Sequence, residues 1–254
     1  MRIAVAGGSG TVGKYAVRSA SQAGHQVVAM SRSTGVDART GEGLLAALEG
    51  VDVIIDTTDG GTISRRKAEA FFTEVTKNLH AMGRKQGVAR LVTLSIVGLE
   101  RLPGFGYYEA KLAQESAALA GPLPVNIVRA TQFHEFPVQI LARATRGQIA
   151  PVPVMRIQPV AARAVGEVLL ETAVGPTLGT TLEIAGPEEE NLVALARQVV
   201  RMRARRTVVV PLRVPGRAGK AMRSGAQKPQ SGARIVGPNF KEWLAGADFS
   251  SMFT

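Results

Sequence analysis

Apolar and polar positions alternate between two regimes along the first half of the chain. Short, nearly continuous apolar runs at 3–6, 26–30, 51–57, 90–95 and 125–130 read as strands. Between them, at 11–23, 43–48, 64–86 and 107–120, apolar residues recur every three or four positions, the period of a helix with one buried face. Phe71, Val75 and Leu79 mark that face in the longest helix, and Gly24 and Gly87 stand where two of the helices should stop. Strands apolar on both sides belong in a parallel sheet covered by helices on both faces. Right-handed crossovers then make the sheet doubly wound. The expected fold class is therefore α/β.

The rhythm changes from about residue 131. Pro137, Pro151, Pro153 and Pro159 break up the segment, and a helix at 161–171, a strand at 181–184 and a helix at 191–203 follow. Residues 211–234 hold Gly, Ser, Pro and Lys/Arg with few apolar positions and read as a mobile loop. This organisation predicts a cofactor-binding core at 1–130. A small C-terminal substrate-side subdomain at 131–254 is expected to return some elements to that core. No internal repeat is present.

With 254 residues, 45% of them hydrophobic, the chain can bury a sizeable core. No apolar run approaches the length of a membrane span, and a strand begins at once without a signal peptide ahead of it. With no Cys, disulfides, thiol nucleophiles and zinc–thiolate sites are excluded. These features predict a cytoplasmic protein without a membrane partner. The net charge of +11 is unevenly placed: residues 191–254 hold 12 Lys/Arg against 2 Asp/Glu, whereas 1–190 hold 19 against 18. Such a bias can serve nucleic acid or acidic lipid. The cations are interrupted by Pro, Gly and strand-like stretches, which favours a solvated face or a surface that draws an anionic small molecule. Nucleic acid is not expected, because 201–234 lacks the interleaved aromatics of a single-strand platform.

Gly7-x-x-Gly10-x-x-Gly13 falls where the first strand meets the first helix. The first glycine permits the tight turn, the second close approach of a pyrophosphate, and the third close packing of the helix on the sheet. Amides of Ser9, Thr11 and Val12 would then face phosphate at the helix start. A dinucleotide site with the Rossmann arrangement is thus predicted. The second strand ends at Ser31-Arg32-Ser33, where an NAD site would offer an acid to the ribose; an arginine suits a 2′-phosphate, so NADP is favoured over NAD. Asp37, Thr57 and Thr58 stand where ribose and adenine contacts are expected.

Ser95 ends a strand, and twelve residues later Tyr107 and Lys111 lie four apart on one helix face. An ammonium beside a phenol lowers the phenol's pKa toward the range for proton transfer, while the Ser hydroxyl could hold the substrate oxygen and Lys111 the nicotinamide ribose. Phe133 and His134 follow the fifth strand, where a substrate pocket would open. His25 and His80 form no metal-ligand spacing, so no metal site is expected.

Together the glycine loop, Leu94-Ser95, Tyr107 with Lys111, Val128-Arg129-Ala130-Thr131-Gln132-Phe133, Gly186-Pro187-Glu188 and Phe240-Lys241-Glu242-Trp243-Leu244 resemble the short-chain dehydrogenase/reductase superfamily. The resemblance is closest to its extended, NmrA-like branch and runs along nearly the whole chain. It implies Ser95, Tyr107 and Lys111 as a catalytic triad, with Asn78 near a supporting position. It implies an NADP-dependent oxidoreductase acting on a carbonyl or hydroxyl of a small organic substrate, or a non-catalytic NADP(H)-binding redox regulator, since the branch includes both. One departure is visible: the stretch Gln158–Val165 lacks the Asp that usually caps the helix there, a loss of about 1 kcal/mol.

Overall fold

In β1 (Arg2–Ala6) the side chains of Ile3 and Val5 join one buried cluster and those of Ala4 and Ala6 another. That alternation places the strand inside a sheet covered on both faces. The computed structural model describes residues 1–253 apart from 63, 103, 177–179 and 205. After β1 come α1 (Gly13–Gln22), β2 (Gln26–Met30), α2 (Leu44–Ala47), β3 (Val53–Asp56), α3 (Arg65–Lys85), β4 (Arg90–Ile96), α4 (Gly106–Leu119) and β5 (Val125–Ala130). The second half comprises α5 (Phe136–Ala144), β6 (Ile149–Pro153), β7 (Arg156–Ile157), α6 (Ala162–Val174), β8 (Thr181–Ala185), β9 (Glu190–Asn191) and α7 (Leu192–Met202). It ends with β10 (Val208–Leu212), α8 (Gly216–Ser224), β11 (Arg234–Ile235), α9 (Phe240–Ala245) and α10 (Ala247–Ser250).

Seven strands form one sheet in the order β11-β8-β5-β4-β3-β1-β2, every pair parallel. The α/β doubly wound arrangement read from the sequence is the one observed. Tyr15, Ala16 and Ala20 of α1 share a core with Val165, Val168 and Leu169 of α6. On the opposite face Leu44 of α2 joins Val75 and Leu79 of α3. Helices α1 and α6 approach closely at Gly166, where a Cβ would lie 2.8 Å from the Ala16 nitrogen.

The later half departs from expectation in two places. Pro137 does not break the chain; it occupies the first turn of α5, where its missing N–H costs nothing. Residues 211–234 are not a continuous loop, since they contain the end of β10, all of α8 and the start of β11. Few apolar residues suffice there. Met222 is buried, Gly219 lies against the Val214 carbonyl, and the Arg223 guanidinium donates to that carbonyl at 2.9 Å. The missing cap of α6 is supplied from a distance: the Glu135 carboxylate accepts from the Ala162 amide at 3.4 Å.

Candidate functional site

Beyond β1 the chain crosses to β2 on one side, and from β2 it returns to β3 on the other. Such a reversal leaves a crevice at the carboxyl ends of the strands. A cleft of about 920 Å³ opens there, near the upper end of the roughly 300–1,000 Å³ span of cofactor sites. Its walls include Gly7, Ser9, Gly10, Thr11 and Val12 after β1, Ser31, Arg32 and Asp37 after β2, and Thr57 and Thr58 after β3. Ser95, Tyr107, Lys111 and Phe133 line the same space.

The turn after β1 admits only glycine at two points. Gly7 has φ +75°, and a Cβ there would come within 2.9 Å of the Thr57 carbonyl oxygen. At Gly13, which does not line the cleft, a Cβ would stand 2.1 Å from the Gly7 oxygen. That glycine therefore seats the helix against the turn. The Thr11 and Val12 amides take no acceptor among the described residues, leaving donors at a helix start for an anion.

Around the second strand, Ser31 Oγ lies 2.8 Å from Ser33 Oγ, and the exposed Arg32 between them opens a short 3₁₀ turn (Arg32–Thr34). The Asp37 carboxylate accepts from the Arg39 and Thr40 amides at 2.8 and 3.3 Å. Asn78 lies outside the cleft lining; from α3 it donates to the Ala38 and Arg39 carbonyls and so holds the loop that carries Asp37. The Thr57 hydroxyl donates back to the Ala6 carbonyl and that of Thr58 to Asp56, both within the protein. These two threonines offer the cleft their remaining edges.

The three residues singled out for chemistry line the cleft, and among the described residues none hydrogen-bonds another of the three. Ser95 is 2% exposed, and its buried hydroxyl has no hydrogen-bond partner among the described residues. The Tyr107 phenol donates to Asp59 at 3.3 Å. Burial and the adjacent Asp59 charge push that phenol well above the ordinary tyrosine range. Lys111 donates to the Leu94 carbonyl at 2.8 Å and to the Gln114 amide oxygen, and lies 4.7 Å from the Phe72 ring centre. Burial lowers its pKa. Two of its three N–H groups are engaged, leaving one for the cleft.

Behind Lys111 runs a fully paired chain. Gln114 donates its NH₂ to the buried Asp56 carboxylate at 2.9 Å, and Asp56 also accepts from the Thr58 amide and hydroxyl. Gln114 lies three residues past Lys111 on the same helix, a spacing that could have exposed it in the sequence. Asp59 carries no comparable signal, because it sits in a loop whose path no pattern fixes. His134, expected in the pocket, turns the other way. Its Nε2–H donates to the Pro238 carbonyl at 3.0 Å, and its ring packs on Phe240 and Trp243. Burial lowers its pKa to about 4.

A family profile described as NAD(P)H-binding matches residues 7–172, the span that builds this cleft. The chain belongs to that NAD(P)H-binding family. It is 27% identical over 199 residues to the photosystem II assembly factor Ycf39 of Synechocystis, covering 70% of this chain and 61% of that protein. The chain thus spans about three fifths of the length of the curated relative it matches. Two solved structures share the fold. A short-chain dehydrogenase/reductase superfamily protein from Agrobacterium tumefaciens with bound NAD gives a TM-score of 0.70 at 17% identity, covering 100% of this chain and 98% of that one. The NADPH-dependent quinone oxidoreductase QOR2 of Escherichia coli, complexed with NADPH, gives 0.68 at 14%, covering 99% and 100%. No described helix is long and apolar enough to cross a membrane.

Proposed function

We propose that this NAD(P)H-binding protein is an NADP(H)-dependent oxidoreductase of short-chain type, acting on a carbonyl or hydroxyl of a small organic substrate. The observation that carries this reading is the Ser95 hydroxyl, buried without a hydrogen-bond partner among the described residues, in the wall that Tyr107 and Lys111 also line. A buried donor without an acceptor costs about 1–3 kcal/mol, and a substrate oxygen would relieve it. The residues fit the cofactor: a Cβ at Gly7 or Gly13 would fill the turn, and the free amides of Thr11 and Val12 suit a pyrophosphate. Ser9 and Gly10 would flank it, Asp37 and Thr57–Thr58 would border the adenosine half, and Ser31 with Arg32 would hold a 2′-phosphate, which favours NADP. When bound, the dinucleotide supplies or accepts the hydride.

The protein's own groups then divide the remaining work. Ser95 orients the substrate oxygen. Tyr107, protonated because burial and Asp59 hold its proton, donates that proton to the oxygen in the reductive direction. Lys111 offers its remaining N–H to the cleft, Gln114 and the Leu94 carbonyl fix its position, and Phe133 lines the substrate side. Domain roles follow the same division, with the cofactor held by 1–130 and substrate by elements of 131–254.

A second reading has its own support: Tyr107 is bonded to Asp59 and Lys111 to Leu94 and Gln114, as in a cleft that binds cofactor and reports it to a protein partner. One experiment separates the two. NADPH oxidation is followed against a panel of aldehydes, ketones and quinones, with cofactor affinity read separately by NADPH fluorescence. For the oxidoreductase, Tyr107→Phe lowers kcat roughly a hundred- to ten-thousand-fold at unchanged NADPH affinity. Arg32→Ala weakens NADPH at least tenfold and leaves NADH unaffected. Tight NADPH binding with no turnover across the panel supports the regulator instead.

A further inference from the structure

The strands β6 and β10 pair in parallel apart from the main sheet, with Val208 opposite Ile149, Val210 opposite Pro151 and Leu212 opposite Pro153. The intervening residues Ala150, Val152 and Val209 are buried on the side that faces α7. The outer face is therefore made of Ile149, Pro151, Pro153, Val208, Val210 and Leu212, without one polar side chain. Ile149 is 56% exposed, Val208 60%, Val210 42% and Leu212 46%. A sheet with one solvated face normally sets polar residues there, and a contiguous apolar patch marks an interaction surface.

In the sequence, the stretches that build that face carry charge of one sign. Neither of the stretches that build it, 136–166 and 191–241, contains a single Asp or Glu. Arg206 and Arg213 flank β10, Arg146 precedes β6, and Arg201 ends α7 beside the exposed Met202. None of these four makes an ion pair among the described residues. An apolar face with arginines at the ends of its strands matches a surface that is apolar inside and anionic at its rim.

The strand edge narrows the choice of occupant. The Val208 amide donates to the Gln148 carbonyl and the Leu212 carbonyl accepts from Val154, so the even residues of β10 face β6. Pro211 then faces the free edge, where it has no N–H to give. A proline at that point blocks an added strand, which disfavours a second copy or a peptide extending the sheet. The outer face also lacks the aromatic anchors and pockets on which protein interfaces depend. Aliphatic side chains and prolines among unpaired arginines suit a fluid partner.

We propose that the outer face of β6 and β10 docks the protein on an anionic lipid bilayer. The aliphatic side chains enter the headgroup boundary, and the surrounding arginines meet lipid phosphates and carboxylates. Peripheral contact of this kind needs no spanning helix, and it is independent of turnover in the cleft.

The test uses the full chain and sucrose-loaded vesicles, either phosphatidylcholine alone or with 30% phosphatidylglycerol as the probe. Sedimentation with the anionic vesicles is expected at low salt, with little on phosphatidylcholine alone. The exposed-site variants Val210→Ser and Leu212→Ser should each lower partitioning several-fold with unchanged thermal unfolding. Arg206→Gln and Arg213→Gln should each lower it about fivefold. Absence of sedimentation with anionic vesicles overturns the proposal. So does partitioning that the arginine changes abolish while Val210→Ser and Leu212→Ser leave it intact, which describes a simple polyanion site. A dimer in solution that Val210→Ser disperses also overturns it, assigning the face to a second copy.

Discussion

At the scale of single residues, the Tyr107 phenol donates its proton to a hydrogen bond with Asp59 at 3.3 Å. The spacing of Tyr107 and Lys111 leads one to expect an ammonium that acidifies the phenol, yet Lys111 is committed to Leu94 and Gln114 and a carboxylate stands beside the phenol instead. Burial comes first and Asp59 second in holding the proton on. Asp59→Asn should therefore move the Tyr107 titration to lower pH. Tyrosinate absorbance of Asp59→Asn, minus that of the Asp59→Asn/Tyr107→Phe double variant, measures it. A titration unchanged from the native chain would mean that burial alone sets the value. The cleft residues were readable because strand ends and helix periods place backbones: Gly7, Ser95 and Lys111 fall where the pattern puts them. Their partners were not, because a hydrogen bond depends on loop path and rotamer, as at Asp59, or on which way one side chain turns, as at His134.

Among elements, α6 begins without a capping side chain of its own, and Glu135 reaches to its first amide. Burial raises the Glu135 carboxyl from 4.5 to about 7, with Asp248 adding to the effect and Lys14 opposing it. Its neighbour His134 is lowered from 6.5 to about 4. The raised acid stabilises the fold at low pH, and that contribution is lost as pH rises from about 4.5 to 7. The depressed histidine stabilises it above 6.5, and that contribution is lost as pH falls toward 4. Between about 4.5 and 6.5 the slopes oppose and largely cancel. Glu135→Gln keeps an acceptor for α6 and removes one slope. The variant should gain up to about 3 kcal/mol at pH 8 and lose stability steadily from pH 6.5 to 4, as urea denaturation at each pH would record. A pH dependence parallel to the native chain would disprove the burial of a protonated carboxyl. The uncapped start of α6 was visible in the sequence; the remedy was not, since Glu135 lies 27 residues from the amide it serves.

For the molecule as a whole, the first half was readable because β1, β3, β4 and β5 are largely buried on both faces and alternate with helices that bury one. In the second half α6, β8 and α7 fall where the pattern puts them, whereas α5, β6, β10 and α8 were not readable, because they are short elements fixed by tertiary contact. Family membership adds a global expectation: NADPH or NADH, whichever the cleft binds, at a hundred times its Kd should stabilise the native state by about 2.7 kcal/mol. For a chain of this size that is a rise in Tm of roughly 5–10 °C, measurable by scanning calorimetry, and no rise would contradict the cleft's assignment as the cofactor seat.

Helices α1 and α6 cover the same face of the sheet, although 139 residues separate Gln22 from Ala162. At ribosomal rates of roughly 5–20 residues per second, that face waits on the order of ten seconds for its second helix. During that interval the nascent chain presents Val53, Ile55 and Val92 to solvent or to whatever chaperone is nearest. Biogenesis, more than the finished fold, is where this topology leaves the chain open to aggregation.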